Sequence, residues 1–264
     1  MQQVYPLLRQ SEIIVVSTPI FFYGPTAQIK ALIDRSQALW ARKYVYKIVD
    51  PGRKWRFGFL LSLAATKGEH LFEGVSLTTK YFFDAVGGNF IDSLTYRQIE
   101  EPGDIQKHLT AFSQAEEKAE TLVSPLLKRR KVLFVCTENA CRSQIAAAFT
   151  QYRFGDLFEV ESAGSSPAEE INPLMEEAMK EKGIDMAYRK PKSIEEAAAL
   201  GKPDLIVSMG CEDACPFFPG VPNQDWDLPD PAGKSLAFMR QVRDEIEGRV
   251  NSLKVETPSS DEAG

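Results

Sequence analysis

Cys136, five intervening residues, then Arg142 and Ser143 is a spacing that can carry nucleophilic chemistry. The run Val135-Cys136-Thr137-Glu138-Asn139-Ala140-Cys141-Arg142-Ser143-Gln144 follows an apolar strand signal, Val132 to Val135, and leads into the helix formers Ile145 to Phe149. That order predicts a strand, an anion-binding loop and a helix N-terminus with a thiol at the base. Such a loop turns backbone N–H groups inward, and the helix start adds roughly half a positive charge. Arg142 contributes a planar fork of donors that fits a tetrahedral oxyanion. A thiolate is favoured in that field, and the thiolate is the attacking form of cysteine. Ser143 is spaced to donate to it, and Thr137, Glu138, Asn139, Ala140 and Cys141 line the oxyanion site.

Two further stretches bear on the reaction. Trp226-Asp227-Leu228-Pro229-Asp230-Pro231-Ala232-Gly233-Lys234 sets an acid in a rigid turn, where Asp230 can serve as the general acid for a departing oxygen. Ser208-Met209-Gly210-Cys211-Glu212-Asp213-Ala214-Cys215-Pro216 places two thiols just beyond a strand signal. A phosphatase resolves its cysteine adduct with water and has no use for them. A reductase needs one thiol to reach the adduct and a second to release the resulting disulfide. A zinc site from the four cysteines is the competing account, but Cys-x4-Cys and Cys-x3-Cys are not the usual knuckle spacings, so no metal is expected. Both histidines, His70 and His108, lie far upstream, so Cys136 must be activated by the loop, Arg142 and nearby hydroxyls.

The elements around these residues alternate. Strands are expected at 13–17, 57–63 and 90–96, with helices at about 26–39, 71–85 and 104–122. A second series follows: strand 132–135, helix 142–154, strand 158–162, helix 172–182, short helix 193–200, strand 204–208 and helix 235–253. This pattern predicts parallel sheets covered by helices. Residues 1–130 carry 17 Lys and Arg against 13 Asp and Glu, a net of +4, and residues 131–264 carry 14 against 24, a net of −10. Two modules are therefore expected, neither basic enough for nucleic acid. No eighteen-residue apolar run and no signal-peptide pattern occur, so a cytoplasmic protein away from membranes is the expectation.

Residues 131–253 resemble the thioredoxin-coupled arsenate reductases, which share the low-molecular-weight protein tyrosine phosphatase fold. The matching stretches are Val135 to Gln144, Glu161-Ser162-Ala163-Gly164, Met209 to Pro216 and Trp226 to Lys234. The resemblance implies that Cys136 attacks arsenate, that Arg142 and the loop amides hold its oxygens, and that Asp230 assists loss of water or hydroxide. Cys211 would then attack Cys136 and release arsenite, and Cys215 would attack Cys211. Thioredoxin, or glutaredoxin with glutathione, would reduce the product disulfide. No cofactor is implied. Cys141 reads as a packing residue. The spacing between Cys211 and Cys215 is shorter than in the best-known members, and Ile145-Ala146-Ala147-Ala148 has no acid where some members bind potassium. A phosphatase acting through a cysteinyl-phosphate is the alternative, and a non-catalytic oxyanion or metal sensor is a third reading. Ala232-Gly233, where the phosphatases carry aromatics, speaks for the reductase.

Ser17 to Arg35 resembles the flavin-contacting loop and helix of the NAD(P)H-dependent FMN reductase and iron–sulfur flavoprotein group, with Pro19, Phe21, Phe22, Tyr23 and Gly24 at the matching positions. That resemblance implies a flavodoxin-like fold. In that group a first strand and phosphate loop come before this point, so the module is expected to be incomplete and FMN binding is not expected of this chain. The reading is thus two three-layer α/β modules with parallel sheets: a partial flavodoxin-like module over 1–126, a low-molecular-weight phosphatase-like domain over 131–255, and a disordered tail over 256–264.

Overall fold

The computed structural model describes residues 1–210 and 218–253. They fall into two compact units: Met1–Arg129 together with Lys180–Arg189, and Arg130–Met179 with Lys190 onward. In chain order the elements are α1 (Val4–Gln10), β1 (Ile13–Pro19), α2 (Ala27–Arg35), α3 (Gln37–Tyr44), β2 (Phe57–Ala64), α4 (Glu73–Val86), β3 (Asn89–Arg97) and α5 (Ala111–Leu127). The second series is β4 (Arg130–Cys136), α6 (Arg142–Phe154), β5 (Phe158–Gly164), α7 (Pro173–Glu181), α8 (Ile194–Ala198), β6 (Leu205–Ser208), β7 (Asn223–Asp225) and α9 (Leu236–Asn251). The tail expected beyond residue 255 lies outside the described residues.

The first unit is built on a parallel sheet of order β1-β2-β3. Leu39, Leu60, Val75, Phe83 and Val86 are buried together in its core. Gly58 admits this packing, because a Cβ there would sit 2.3 Å from the Phe83 ring. Two expectations need correction. The helix expected at 26–39 is two helices: Ser36, buried, bonds its hydroxyl back to the Leu32 carbonyl at 2.9 Å and ends α2 before α3 begins. The helix expected at 104–122 begins instead at Ala111. Asp104–Lys107 is a single 3-10 turn started by Gly103 at φ +92°.

A buried ion network ties this unit together. Arg9 reaches Asp50 at 2.7 Å and Asp185 at 3.0 Å, Arg56 reaches Asp50 at 3.3 Å, and Arg42 meets Asp185 through both carboxylate oxygens at 2.7 Å. Burial alone would raise the Asp50 carboxyl, but the Arg56 and Arg9 guanidiniums outweigh it and hold it below its ordinary 3.8. A depressed carboxyl adds stability above its unfolded value and loses it as pH falls through the folded one. Asp50→Asn should therefore destabilise the protein by about 3 kcal/mol at neutral pH, because it removes the buried carboxylate charge that Arg56 and Arg9 share and leaves Arg56 without an anionic partner. Urea unfolding at several pH values checks this: the gap to wild type should hold down to about pH 4 and shrink below it. An equal gap at pH 3 and pH 7 would refute the assignment.

The second unit has a parallel sheet of order β5-β4-β6-β7. β4 is central, and Val132 to Cys136 are all buried, as expected of an apolar run covered on both faces. Cys136 is its last residue and pairs in register with Gly164 of β5, while Val135 pairs with Ser208 of β6. The C-terminal edge of this sheet thus gathers the loops after β4, β5 and β6, where open parallel sheets place their ligands.

Candidate active site

The loop from Cys136 to Cys141 is held by its carbonyls. Ser165, Ser166, Ala168 and Asn172 donate their amides to the carbonyls of Cys136, Thr137, Glu138 and Ala140 at 2.8 to 3.2 Å. With its oxygens bonded outward to the segment after β5, the loop presents its own N–H groups to the enclosed space, the arrangement that binds anions. Gly164 makes the close approach possible, since a Cβ there would lie 2.6 Å from the Thr137 carbonyl and 2.9 Å from the Asn139 nitrogen. Asn139 takes φ +50°, a turn conformation that asparagine tolerates. α6 then starts at Arg142 with no side-chain cap, which leaves its first amides for a ligand.

Cys136 is buried, and its Sγ lies 3.0 Å from Ser143 Oγ. Which atom donates follows from the neighbours. The Lys192 backbone N–H and Gln144 Nε2 donate to one side-chain atom of Asn139 at 2.9 and 3.2 Å, so that atom is the oxygen. The amide nitrogen of Asn139 therefore faces Ser143 and donates to its Oγ at 2.7 Å. With an acceptor position of Ser143 so used, its hydroxyl proton is directed to the sulfur, where it stabilises a thiolate. Gln144 and Lys192 are members of this chain of bonds that motif reading does not single out. Gln144 also donates to the Lys190 carbonyl at 3.2 Å, fixing the segment that supplies Lys192.

Arg142 is buried over the loop. Its Nη1 donates to the Leu228 carbonyl at 3.2 Å and its Nη2 lies 3.3 Å from the carboxylate of Asp230. The strand-edge bond from Trp226 N–H to the Ser208 carbonyl, at 2.8 Å, and the contact of its ring with Phe134 fix the start of this segment. Asp230 itself is 58% exposed and accepts from the Ala232 amide, so it stands at the mouth of the site, open to an incoming oxyanion. Thr137 Oγ1 donates to the Gly210 carbonyl at 3.0 Å, and Met209 N–H donates to the Val135 carbonyl at 2.8 Å. The described chain after β6 thus ends bonded to the residue that follows Cys136. Cys211 and Cys215 lie outside the described residues.

The structure therefore brings Cys136, Asn139, Arg142, Ser143, Thr137 and Asp230 to one place. Glu138 is exposed at the rim, and Ala140 and Cys141 are buried in the loop wall. Burial, with the nearby Cys136 charge adding to it, pushes the Cys141 thiol up to about 12, so it stays protonated at neutral pH. Among the described residues no group of three or more His, Cys, Asp or Glu is arranged to hold a metal ion.

In the first unit, Pro19 ends β1 and Phe21 to Gly24 form a two-residue hairpin turn. The Phe21 and Gly24 amides donate to each other's carbonyls at 2.9 and 3.0 Å. Phe22 and Tyr23 stand at φ +49° and +66°, and Phe22 is fully exposed. These residues offer aromatic surface, but the two amides are used within the turn. They do not by themselves make a flavin cradle.

Residues 131–260 match the family model for low molecular weight phosphotyrosine protein phosphatase, and residues 1–96 match that for NADPH-dependent FMN reductase. Among curated relatives, an arsenate reductase of Staphylococcus haemolyticus is 38% identical over 132 residues, which span 48% of this chain and 98% of the relative. An arsenate reductase of Brevibacillus brevis is 38% identical over 128 residues, spanning 47% of this chain and 94% of the relative. A solved thioredoxin-dependent arsenate reductase of Corynebacterium glutamicum is 34% identical, with a TM-score of 0.42 over 55% of this chain and 74% of its own.

Proposed function

Because the chain belongs, through residues 131–260, to the low molecular weight phosphotyrosine protein phosphatase family and stands among its arsenate reductases, we propose that it reduces arsenate to arsenite by a three-cysteine relay. The Cys136 thiolate attacks arsenic, a sulfur–arsenic bond forms, and hydroxide or water leaves with a proton from Asp230. Arg142 and the loop amides hold the remaining oxygens and balance their charge. Cys211 then attacks the Cys136 sulfur. A disulfide forms, the sulfur–arsenic bond breaks, and its electron pair stays on arsenic, which departs as arsenite. Cys215 attacks Cys211, frees Cys136 and leaves the Cys211–Cys215 disulfide for an external dithiol.

The observation that carries this reading is the bond from Thr137 Oγ1 to the Gly210 carbonyl. It holds Gly210, the last described residue before Cys211, against the residue that follows Cys136, which supports a resolving role for the thiol that comes next in the chain. A phosphatase would use the same loop and acid without that thiol. No helix among the described residues is long and apolar enough to cross a membrane, and a cytoplasmic setting suits a cycle fed by thiol reductants.

The test is arsenate-dependent NADPH oxidation with two separate donor systems. Turnover is expected with thioredoxin and thioredoxin reductase, or with glutathione, glutaredoxin and glutathione reductase. Whichever sustains it is the partner. No arsenate-dependent oxidation with either donor overturns the reading.

A further inference from the structure

Gln144 is buried on the first turn of α6, and its bonds lead back to the nucleophile. Its Nε2 donates to Asn139 Oδ1 and to the Lys190 carbonyl, each at 3.2 Å. The backbone donor to the same Oδ1 is the Lys192 amide at 2.9 Å. β5 places that amide independently: Gly164 N–H donates to the Lys192 carbonyl at 2.9 Å, and the Lys192 ammonium pairs with Glu161. Gln144 thus adds a side-chain donor to an atom that already has a fixed backbone donor. The two ends of an asparagine amide are alike in size and opposite in hydrogen bonding. With Oδ1 toward Lys192, Nδ2 donates to Ser143 Oγ at 2.7 Å, and the hydroxyl proton turns to Cys136 Sγ, 3.0 Å away. With the amide reversed, an oxygen would face Ser143, take that proton and leave a hydroxyl lone pair against the sulfur. The first arrangement supports a thiolate and the second opposes it.

We propose that Gln144 is a positioning residue for this site: it holds the Asn139 amide in the orientation that aims the Ser143 proton at Cys136, and so sets how much of that thiol is thiolate at neutral pH. Reversal of the amide would bring Nδ2 against two donors, the Lys192 N–H and the Gln144 NH2, and each makes it less favourable by roughly one hydrogen bond. Asn139, Ser143 and Cys136 are all buried, so a lost bond is not readily replaced from bulk water. The charged and titratable groups around the loop, Arg142, Asp230, Glu138 and the Cys141 thiol, act on Cys136 separately and stay in place when Gln144 is changed. The inference rests on Cys136 being the nucleophile proposed above, and needs neither arsenic as its target nor the relay through Cys211 and Cys215.

The experiment is the rate of iodoacetamide alkylation of Cys136 in the full chain at pH 7 and pH 10, located by tandem mass spectrometry, with the melting of each variant followed by circular dichroism. Gln144→Met keeps the length of the side chain and removes the donor. It should slow alkylation at pH 7 by about fivefold, the worth of one hydrogen bond, and leave the rate at pH 10 within about twofold, because a thiol is ionised there in either protein. A change in packing or access would slow both. Gln144→Leu is the second variant, with the same expected result, where the methionine variant does not melt as wild type does. Asn139→Gly, which takes φ +50° without strain, should also slow the reaction at pH 7. In that background Gln144→Met should add less than about twofold, since its route to the sulfur is gone. A wild-type rate at pH 7 in Gln144→Met overturns the proposal. So does equal slowing at both pH values, or an undiminished effect in Asn139→Gly. Wild-type Cys136 that resists alkylation at both pH values would instead sink the nucleophile itself, and with it the proposed function.

Discussion

Cys136→Ser is expected to abolish arsenate reduction, a loss on the order of 10⁴-fold or more in turnover, while arsenate still binds within a few-fold. Serine is a far weaker nucleophile than a thiolate. Even if an ester to arsenic formed, an oxygen cannot pass into a disulfide, so arsenic would have no route to its electron pair. Binding should survive because the oxyanion is held by the loop amides, the α6 N-terminus and the buried Arg142, none of which the substitution removes. Coupled NADPH oxidation reads the first effect and calorimetric titration with arsenate the second. A labelling control gives the same residue a direct signature. At neutral pH iodoacetamide should modify the peptide Val132–Arg142 once, at Cys136, because Cys141 stays a thiol. The label should vanish from that peptide in Cys136→Ser. Residual turnover within tenfold of wild type, or label landing on Cys141, would remove Cys136 from the centre of the mechanism.

The parts of the site that could be read from residue order are those built from neighbours in the chain. Val132 to Val135 is apolar throughout, so a strand buried on both faces followed by a loop and a helix was the natural expectation, and β4, the loop and α6 match it. The acid in a proline-bounded turn was equally local, and Asp230 lies beside Arg142. What could not be read depends on distant backbone. Asn139 is recognisable as a loop residue, but its task of turning the Ser143 proton toward sulfur is set by the Lys192 amide, with no periodicity linking the two. Gly164 sits in a motif, yet its need to lack a Cβ arises only once β5 pairs with β4 in the observed register. Asp185 reads as an ordinary carboxylate near a helix end. Its burial against Arg42 and Arg9 depends on Lys180–Arg189 clustering with the first unit. The break at Ser36 escaped for a smaller reason: the apolar period runs on across it, and the Ser36 hydroxyl turned back to Leu32, a bond that bends helices, leaves no mark on that period.

Cys211→Ser and Cys215→Ser separate a reductase from a hydrolase, and they should fail at different steps. In Cys211→Ser the Cys136–arsenic adduct can form but nothing takes the sulfur from it, so no catalytic release of arsenite is expected. In Cys215→Ser the Cys211 thiol still attacks, so about one arsenite per chain should be released before the enzyme stalls as a Cys136–Cys211 disulfide. Quantifying arsenite after rapid quenching, with mass spectrometry of the linked peptides, distinguishes the two. Hydrolysis of a model aryl phosphate should persist within a few-fold in both variants. That reaction needs only Cys136, Arg142, the loop amides and Asp230, with water resolving the adduct. The contrast is the decisive point, because a merely misfolded variant would lose both activities together. Multiple arsenate turnovers in both variants would show that electrons reach arsenic by another path, and the relay would be wrong even with Cys136 still the nucleophile. Loss of phosphate-ester hydrolysis alongside arsenate reduction, in a Cys211→Ser variant whose circular dichroism and melting match wild type, would instead place Cys211 in the architecture of the oxyanion site.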